Sequence, residues 1–272
     1  MNRDALRRLL PQACQIARRA GQAVLRIYRD DFAVATKADT SLITPADDRA
    51  NEIIRDALAR LTPALPVVSE ETTAPAFRER RGWRHYWLVD PLDGTREFVA
   101  RSDQFAVNIA LVEDHRPVLG VVHAPALGVT WFGGPGLGAF RQAEGEEPLS
   151  IRAAPRVRHP LRVVLGRRNP GPRTRAALAE LPEHDTRVWG AALKFCLIAE
   201  GGADLFPRYG PISEWDMAAP QAILEAAGGH LADMATLRPV RYNTRRALTT
   251  SDVLAYADDR VDWRRYLLNE ET

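Results

Sequence analysis

The chain has 272 residues, 46% of them hydrophobic, enough for one large core or two closely packed halves. No apolar run approaches the roughly 20 residues that span a bilayer, and the charged start MNRDALRRLL lacks the apolar core and cleavage site of a signal peptide, so a cytoplasmic protein is expected. The pI is near 8.7 but the net charge is only +2, and of 37 basic residues only Lys37 and Lys194 are lysines, which reads as a compositional skew toward arginine rather than a nucleic-acid surface.

In chain order, an amphipathic helix is predicted over about 4–28, with Leu6, Leu9, Ala13, Ile16, Ala20, Val24 and Ile27 at helical spacing and Pro11 as a break or a start. A second helix has Thr44 as N-cap, Pro45 at its first position, and Ala50, Ile53, Ile54, Ala57, Leu58 and Leu61 along one face. Strands follow at about 66–69, 86–90, 104–113, 117–123 and 129–133, and the turn-like Glu113-Asp114-His115 predicts an antiparallel sheet. Beyond residue 150 strand and helix alternate: LRVVLG, TRAALAEL, TRVWG, AALKFCLIAEGG, DLFPR, and a helix from about Asp216 to Gly228-Gly229. The expected division is an N-terminal half, 1–153, and a C-terminal half, 154–272, in an α/β or α+β fold with helices sandwiching sheets. Cys14 and Cys196 lie in mixed contexts and read as buried free thiols.

The chemistry centres on YWLVDPLDGTREF. An apolar strand ends in Asp90, and Asp90-Pro91 suits the start of a type I turn that folds Asp93 back toward it. Gly94 clears space at the backbone, its amide and that of Thr95 open a short helix, and Thr95 adds a hydroxyl. Two carboxylates, the Leu92 carbonyl, a hydroxyl and bare amides make a small site for a hard cation and a phosphate. An EF-hand loop is excluded, because Leu92 and Arg101 occupy positions that need oxygen ligands. A covalent aspartyl-phosphate route of the haloacid-dehalogenase kind is disfavoured, because Pro91 stands where its nucleophile would be.

Magnesium needs further oxygens, and three segments offer them: Glu70-Glu71 at a strand end, Asp216 near a helix start, and Asp47 in a first helical turn. Each acid also has a plain structural role open to it. Asp47 and Asp216 stand three residues after Thr44 and Ser213, a capping-box spacing, and paired glutamates at a strand end are commonly just solvated.

The blocks KADTSLITPADDRANEII, PVVSEE, YWLVDPLDGTREF, VNIALV, LGVVHAP and EWDMAAPQAILEAAGG together resemble the inositol-monophosphatase-like family of metal-dependent, lithium-sensitive phosphatases. They run in the family's order over nearly the whole chain, and DPLDGT combined with WD is far more specific than either alone. WLVDPLDGTREF and ALKFCLIAEGGADLFPRYGP are most similar to its CysQ-type 3'(2'),5'-bisphosphate nucleotidases, which act on adenosine 3',5'-bisphosphate.

The resemblance implies a layered αβαβα sandwich and a set of roles. Glu70, Asp90 and the Leu92 carbonyl would hold one magnesium, and Asp90, Asp93 and Asp216 a second, with Glu70 facing a third through water. Asp47 and Thr95 would orient and deprotonate the attacking water. Glu70, Leu92, Asp93, Gly94, Thr95, Lys194 and Asp216 would surround the substrate, and the segment with Lys37 and Asp39 would close over it. Two ions roughly 4 Å apart would clamp the attacking and leaving oxygens of an in-line displacement, with no phospho-enzyme. All-oxygen ligation favours magnesium, with manganese as substitute.

A second phosphate needs cations away from the metals. From Arg152 to Arg175 there are eight arginines and no acid; Arg167 or Arg168 with Lys194 would supply them, although a solvated face is the plainer reading of the stretch. Gly166-Arg167-Arg168-Asn169 departs from the Ser-Arg-Ser-His run usual in the subgroup, so nucleotide recognition is expected to differ here. The expected partner is a small phosphorylated molecule and not nucleic acid; oligomeric state and contact with the inner membrane face stay open. The alternative is an inositol or sugar monophosphatase with the same metal site.

Overall fold

Apolar spacing and end signals place the first two helices. A computed structural model of the chain describes residues 1–36, 42–167 and 169–267. The N-terminal helix spans Arg3–Arg29, opened by Asn2, whose side chain accepts the Ala5 N–H at 2.9 Å. It runs through Pro11 without breaking, because Pro11 lies on the exposed face, where the Arg7 carbonyl it leaves without a helical partner can be solvated. The second helix, Pro45–Leu61, starts at Thr44 as expected and buries Ala50, Ile54 and Leu58 completely. Each such leucine or isoleucine contributes about 1.5–3 kcal/mol.

Seven strands form the large sheet in the order Val67–Ser69, His85–Asp93, Ala106–Glu113, Arg116–Ala124, Val129–Gly134, Gly138–Ala143 and Leu149–Ser150. The first pair is parallel and every later pair antiparallel. Asp114 and His115 both take positive φ, 48° and 68°, as a tight hairpin turn demands. The last two strands escape sequence reading because GAFRQA and LS are short and carry no apolar alternation. Five strands form the small sheet in the order His184–Val188, Leu161–Leu165, Leu205–Arg208, Val253–Tyr256 and His230–Asp233, the first three parallel.

Strand alternation then builds the layers. In His85–Asp93, Trp87 and Val89 pack with Val24, Ile54 and Leu58 of the first two helices, while Tyr86 and Leu88 face the helices Leu193–Ala199 and Glu214–Ala226. Those two helices also cover one face of the small sheet through Val164, Phe206 and Ala255. On its other face Val163, Leu205 and Leu254 meet Ala177 of the helix Pro172–Glu180 and Leu267 of the helix Arg264–Leu267. The result is the five-layer αβαβα sandwich. Glu214–Ala226 sits unusually close to the large sheet at Gly120, where an added Cβ would lie 2.1 Å from the Ala219 carbonyl oxygen. Among the described residues, no helix is long and apolar enough to cross a membrane.

Candidate metal and phosphate site

The strand His85–Asp93 does not stop in a type I turn, as its Asp-Pro start suggested. It continues through Pro91 as a bulge, with Asp90 opposite Asn108 and Asp93 opposite Ala106. Pro91 has no N–H to give the ladder, and a bulge leaves one residue unpaired, so the two requirements coincide. The Leu92 N–H turns inward to donate to Asp90 Oδ1 at 3.0 Å. Gly94 then takes φ 88°, a left-handed conformation unfavourable for other residues, and the helix Thr95–Val99 begins.

The bulge faces acids from two other elements. Single carboxylate oxygens of Glu70, Asp90 and Asp216 all lie within 4.8 Å of one another. Glu70 follows the strand Val67–Ser69, its N–H donating to the Val89 carbonyl at 3.2 Å, and Asp216 stands in the first turn of Glu214–Ala226. Ser213 gives that helix no side-chain cap, so the capping-box account of Asp216 fails and its carboxylate joins the cluster instead. Asp93 is held at Oδ2 by the Asn108 amide at 3.0 Å and the Ala192 N–H at 2.6 Å.

Asp47 serves two ends. Its Oδ2 accepts from the Thr44 N–H and hydroxyl, both at 2.8 Å, so the capping box is real. Its Oδ1 accepts from the Thr95 hydroxyl at 3.4 Å, and that hydroxyl also lies 3.3 Å from the Leu92 carbonyl oxygen.

Electrostatics make the cluster unstable as bare anions. Burial pushes the Asp90 carboxyl well above the ordinary range, and the charges of Glu70, Asp93, Asp216 and Asp47 push it further. Asp216 is raised in the same way, first by burial and then by Asp93 and Glu70. Asp93 is raised by burial and eased by Lys194, whose own ammonium burial holds below its usual range. One lysine cannot offset so many acids, and a hard divalent cation would. The donors are all oxygens, with no histidine or cysteine in the cluster among the described residues, which fits such an ion.

A cleft of about 700 Å³ opens beside Asp93 and Gly94. Arg96, Arg167, Arg173, Arg208 and Lys194 stand in its walls, with Lys194 over the ring of buried Phe206 and Arg173 over that of Tyr209. A chamber of about 200 Å³, sharing Asp93, Lys194 and Arg208 with it, reaches Asp216. The arginine-rich stretch therefore divides. Arg162 turns inward to fully buried Asp204 at 2.6 Å, Arg173 pairs with Asp252 while stacking on Tyr209, and Arg167 remains at the cleft. Lys37, Asp39 and Arg168 lie outside the described residues. Sequence reading missed Asn108 and Arg208. A lone amide inside the apolar VNIALV run was the available signal for Asn108, whose Oδ1 is buried without a partner among the described residues.

The model of the inositol monophosphatase family matches residues 5–264. The 3'(2'),5'-bisphosphate nucleotidase CysQ of Salmonella typhimurium is 45% identical over 227 residues, covering 83% of this chain and 90% of that protein. Its namesake in Escherichia coli is 42% identical over 241 residues, covering 88% and 96%. The crystal structure of CysQ from Bacteroides thetaiotaomicron, a bacterial member of the inositol monophosphatase family, matches with a TM-score of 0.80 at 34% identity, covering 90% of this chain and 96% of that one.

Proposed function

This chain belongs to the inositol monophosphatase family, and from that membership we propose that it is a magnesium-dependent 3'(2'),5'-bisphosphate nucleotidase, hydrolysing the 3'-phosphate of adenosine 3',5'-bisphosphate to AMP and inorganic phosphate. One observation carries the reading: the Glu70–Asp90–Asp216 cluster adjoins a cleft walled by Lys194, Arg96, Arg167 and Arg208, beside an Arg173 already paired with Asp252. An inositol monophosphate has no second phosphate for those cations.

We assign Glu70, Asp90 and the Leu92 carbonyl to one magnesium, and Asp90, Asp93 and Asp216 to a second, with Glu70 facing a third through water and manganese able to substitute. Bound there, the metal supplies charge to the reacting phosphate and lowers the pKa of the attacking water. The chain's own residues do the rest. Asp47 Oδ1 takes the water's proton through the Thr95 hydroxyl, and the bonds from Thr44 to Oδ2 keep that carboxylate aimed. Gly94, without a side chain, lets the phosphate approach the backbone beside Thr95. Lys194 stands on the substrate side with the cleft arginines, which clamp the phosphate that does not react. The buried free thiols Cys14 and Cys196 suit a cytoplasmic, reducing compartment.

The test is a comparison of kcat/KM on adenosine 3',5'-bisphosphate, inositol 1-phosphate and fructose 1,6-bisphosphate with magnesium. Preference for the nucleotide by about tenfold or more is expected. Equal or better turnover of inositol 1-phosphate would replace the reading with a sugar-phosphate phosphatase using the same metal site.

A further inference from the structure

The turn from Gly190 to Ala192 joins the carboxylate cluster to the cleft. Ala191 there has φ 50°, a left-handed conformation that costs a residue with a side chain about 1 kcal/mol or more, so surrounding groups must hold it. Two do. The Ala192 N–H donates to Asp93 Oδ2 at 2.6 Å, and the Gly190 N–H donates to Gln104 Oε1 at 2.9 Å. The strained residue's carbonyl accepts from Lys194 Nζ, and both Ala191 and Lys194 line the cleft.

The same Gln104 oxygen also accepts from Arg167 Nη1 at 3.5 Å. One side-chain amide thus touches the turn that carries Lys194 and the arginine across from it. Gln104 stands behind the cleft wall rather than in it, and its backbone is fixed on both sides. Asp103 accepts from the Tyr28 hydroxyl at 2.8 Å and returns its N–H to the same oxygen at 3.2 Å, while Phe105 is fully buried.

We propose that Gln104 is a positioning residue for substrate specificity, holding the Gly190–Ala192 turn and Arg167 so that Lys194 and Arg167 together meet the substrate's second anionic group. This rests on the nucleotidase reading above. Because that group does not react, Gln104 acts on binding more than on the chemical step. Its tie to the reacting phosphate is indirect, through the turn whose Ala192 N–H holds Asp93, whereas Arg167 is bonded to it directly, so substrates without a second phosphate should sense it far less.

The experiment compares the wild type, Gln104→Ala and Gln104→Glu on adenosine 3',5'-bisphosphate and on adenosine 3'-monophosphate, with thermal melts of all three. Gln104→Ala should raise KM for the bisphosphate about tenfold with kcat within about twofold, and leave KM for the monophosphate nearly unchanged. Gln104→Glu keeps an oxygen for both donors but sets a carboxylate beside Arg167, so its KM for the bisphosphate should fall between those of wild type and Gln104→Ala. An equal KM rise on both substrates, a loss confined to kcat, or a Gln104→Glu variant as impaired as Gln104→Ala would overturn the assignment. A wild type that turns over neither adenosine phosphate but does turn over inositol 1-phosphate would overturn the nucleotidase reading, and this one with it.

Discussion

Asp47 and Thr95, from the first turns of two different helices, share a hydrogen bond of 3.4 Å, while the other oxygen of Asp47 caps its own helix. Under the proposed mechanism the cap is part of the chemistry: the bonds that open one helix hold Asp47 in place for a hydroxyl on another. Asp47→Asn keeps an oxygen for capping but cannot accept a proton at ordinary pH. Its kcat should fall at least about 100-fold, while Tm shifts by only a few degrees. Thr95→Ser should retain far more activity than Thr95→Ala, as steady-state kinetics will show. Similar activity in both Thr95 variants would remove the hydroxyl from the mechanism.

The acids of the cluster repel one another, and their removal should have opposite effects on function and stability. Asp90→Asn and Asp93→Asn should each reduce turnover at least about 100-fold. In EDTA, Asp90→Asn should melt no lower than wild type, because a neutral amide escapes both the burial cost and the repulsion that raise the Asp90 carboxyl. Magnesium should raise Tm of the wild type and fail to raise that of the variant. A variant that keeps both the magnesium-dependent shift and near-normal activity would remove Asp90 from the metal site.

Gly120 permits the close contact that brings Asp216 to the sheet. In Gly120→Ala the new Cβ would meet backbone, not a movable side chain, so the helix Glu214–Ala226 must shift as a whole. The cost should be about 3 kcal/mol, seen as a lower midpoint in urea. Activity should fall further than the fraction unfolded explains, since the shift displaces Asp216.

His123 offers a pH signature away from the cluster. It is buried, bonded through Nδ1 to the Thr130 hydroxyl at 3.0 Å, and burial, with the nearby Arg18 charge, lowers its pKa to about 4. The unfolded chain binds its proton near the ordinary pH of about 6.5 and the folded one does not, so this stability is present above that pH and lost as pH falls toward 4. Between pH 7 and 4 the wild type should lose about 3 kcal/mol more than His123→Gln, measured by urea unfolding at each pH. Parallel losses would mean the imidazole is not excluded from protonation in the folded state.

Much of this was readable from local pattern. The capping signal at Thr44-Pro45, the apolar strands and the acids of DPLD, VVSEE and EWD needed only neighbouring residues, and the structure draws Glu70, Asp90 and Asp216 together. The Asp-Pro start of DPLD, by contrast, suits a turn and a bulge equally, and only pairing with Asn108 and Ala106 decides between them. The arginine stretch misled because its partners are remote. Nothing near Arg162 or Arg173 announces Asp204 or Asp252, which take those two charges. Gln104 left no trace at all, since its importance lies in contacts with Gly190 and Arg167, far along the chain.

The bulge at Pro91 has one more consequence. Residues an odd number of steps apart on a regular strand look in opposite directions, and Asp90 and Asp93 are such a pair; two residues, Pro91 and Leu92, set against the single Val107 across the ladder reset the parity, so both aspartates serve one site. The length of DPLD is therefore as constrained as its letters. Deleting Leu92 would leave the two aspartates two steps apart on one face of a regular strand, but it would set Pro91, which has no N–H, into the ladder and remove both the Leu92 carbonyl and the N–H that holds Asp90 Oδ1, with every carboxylate still in the gene.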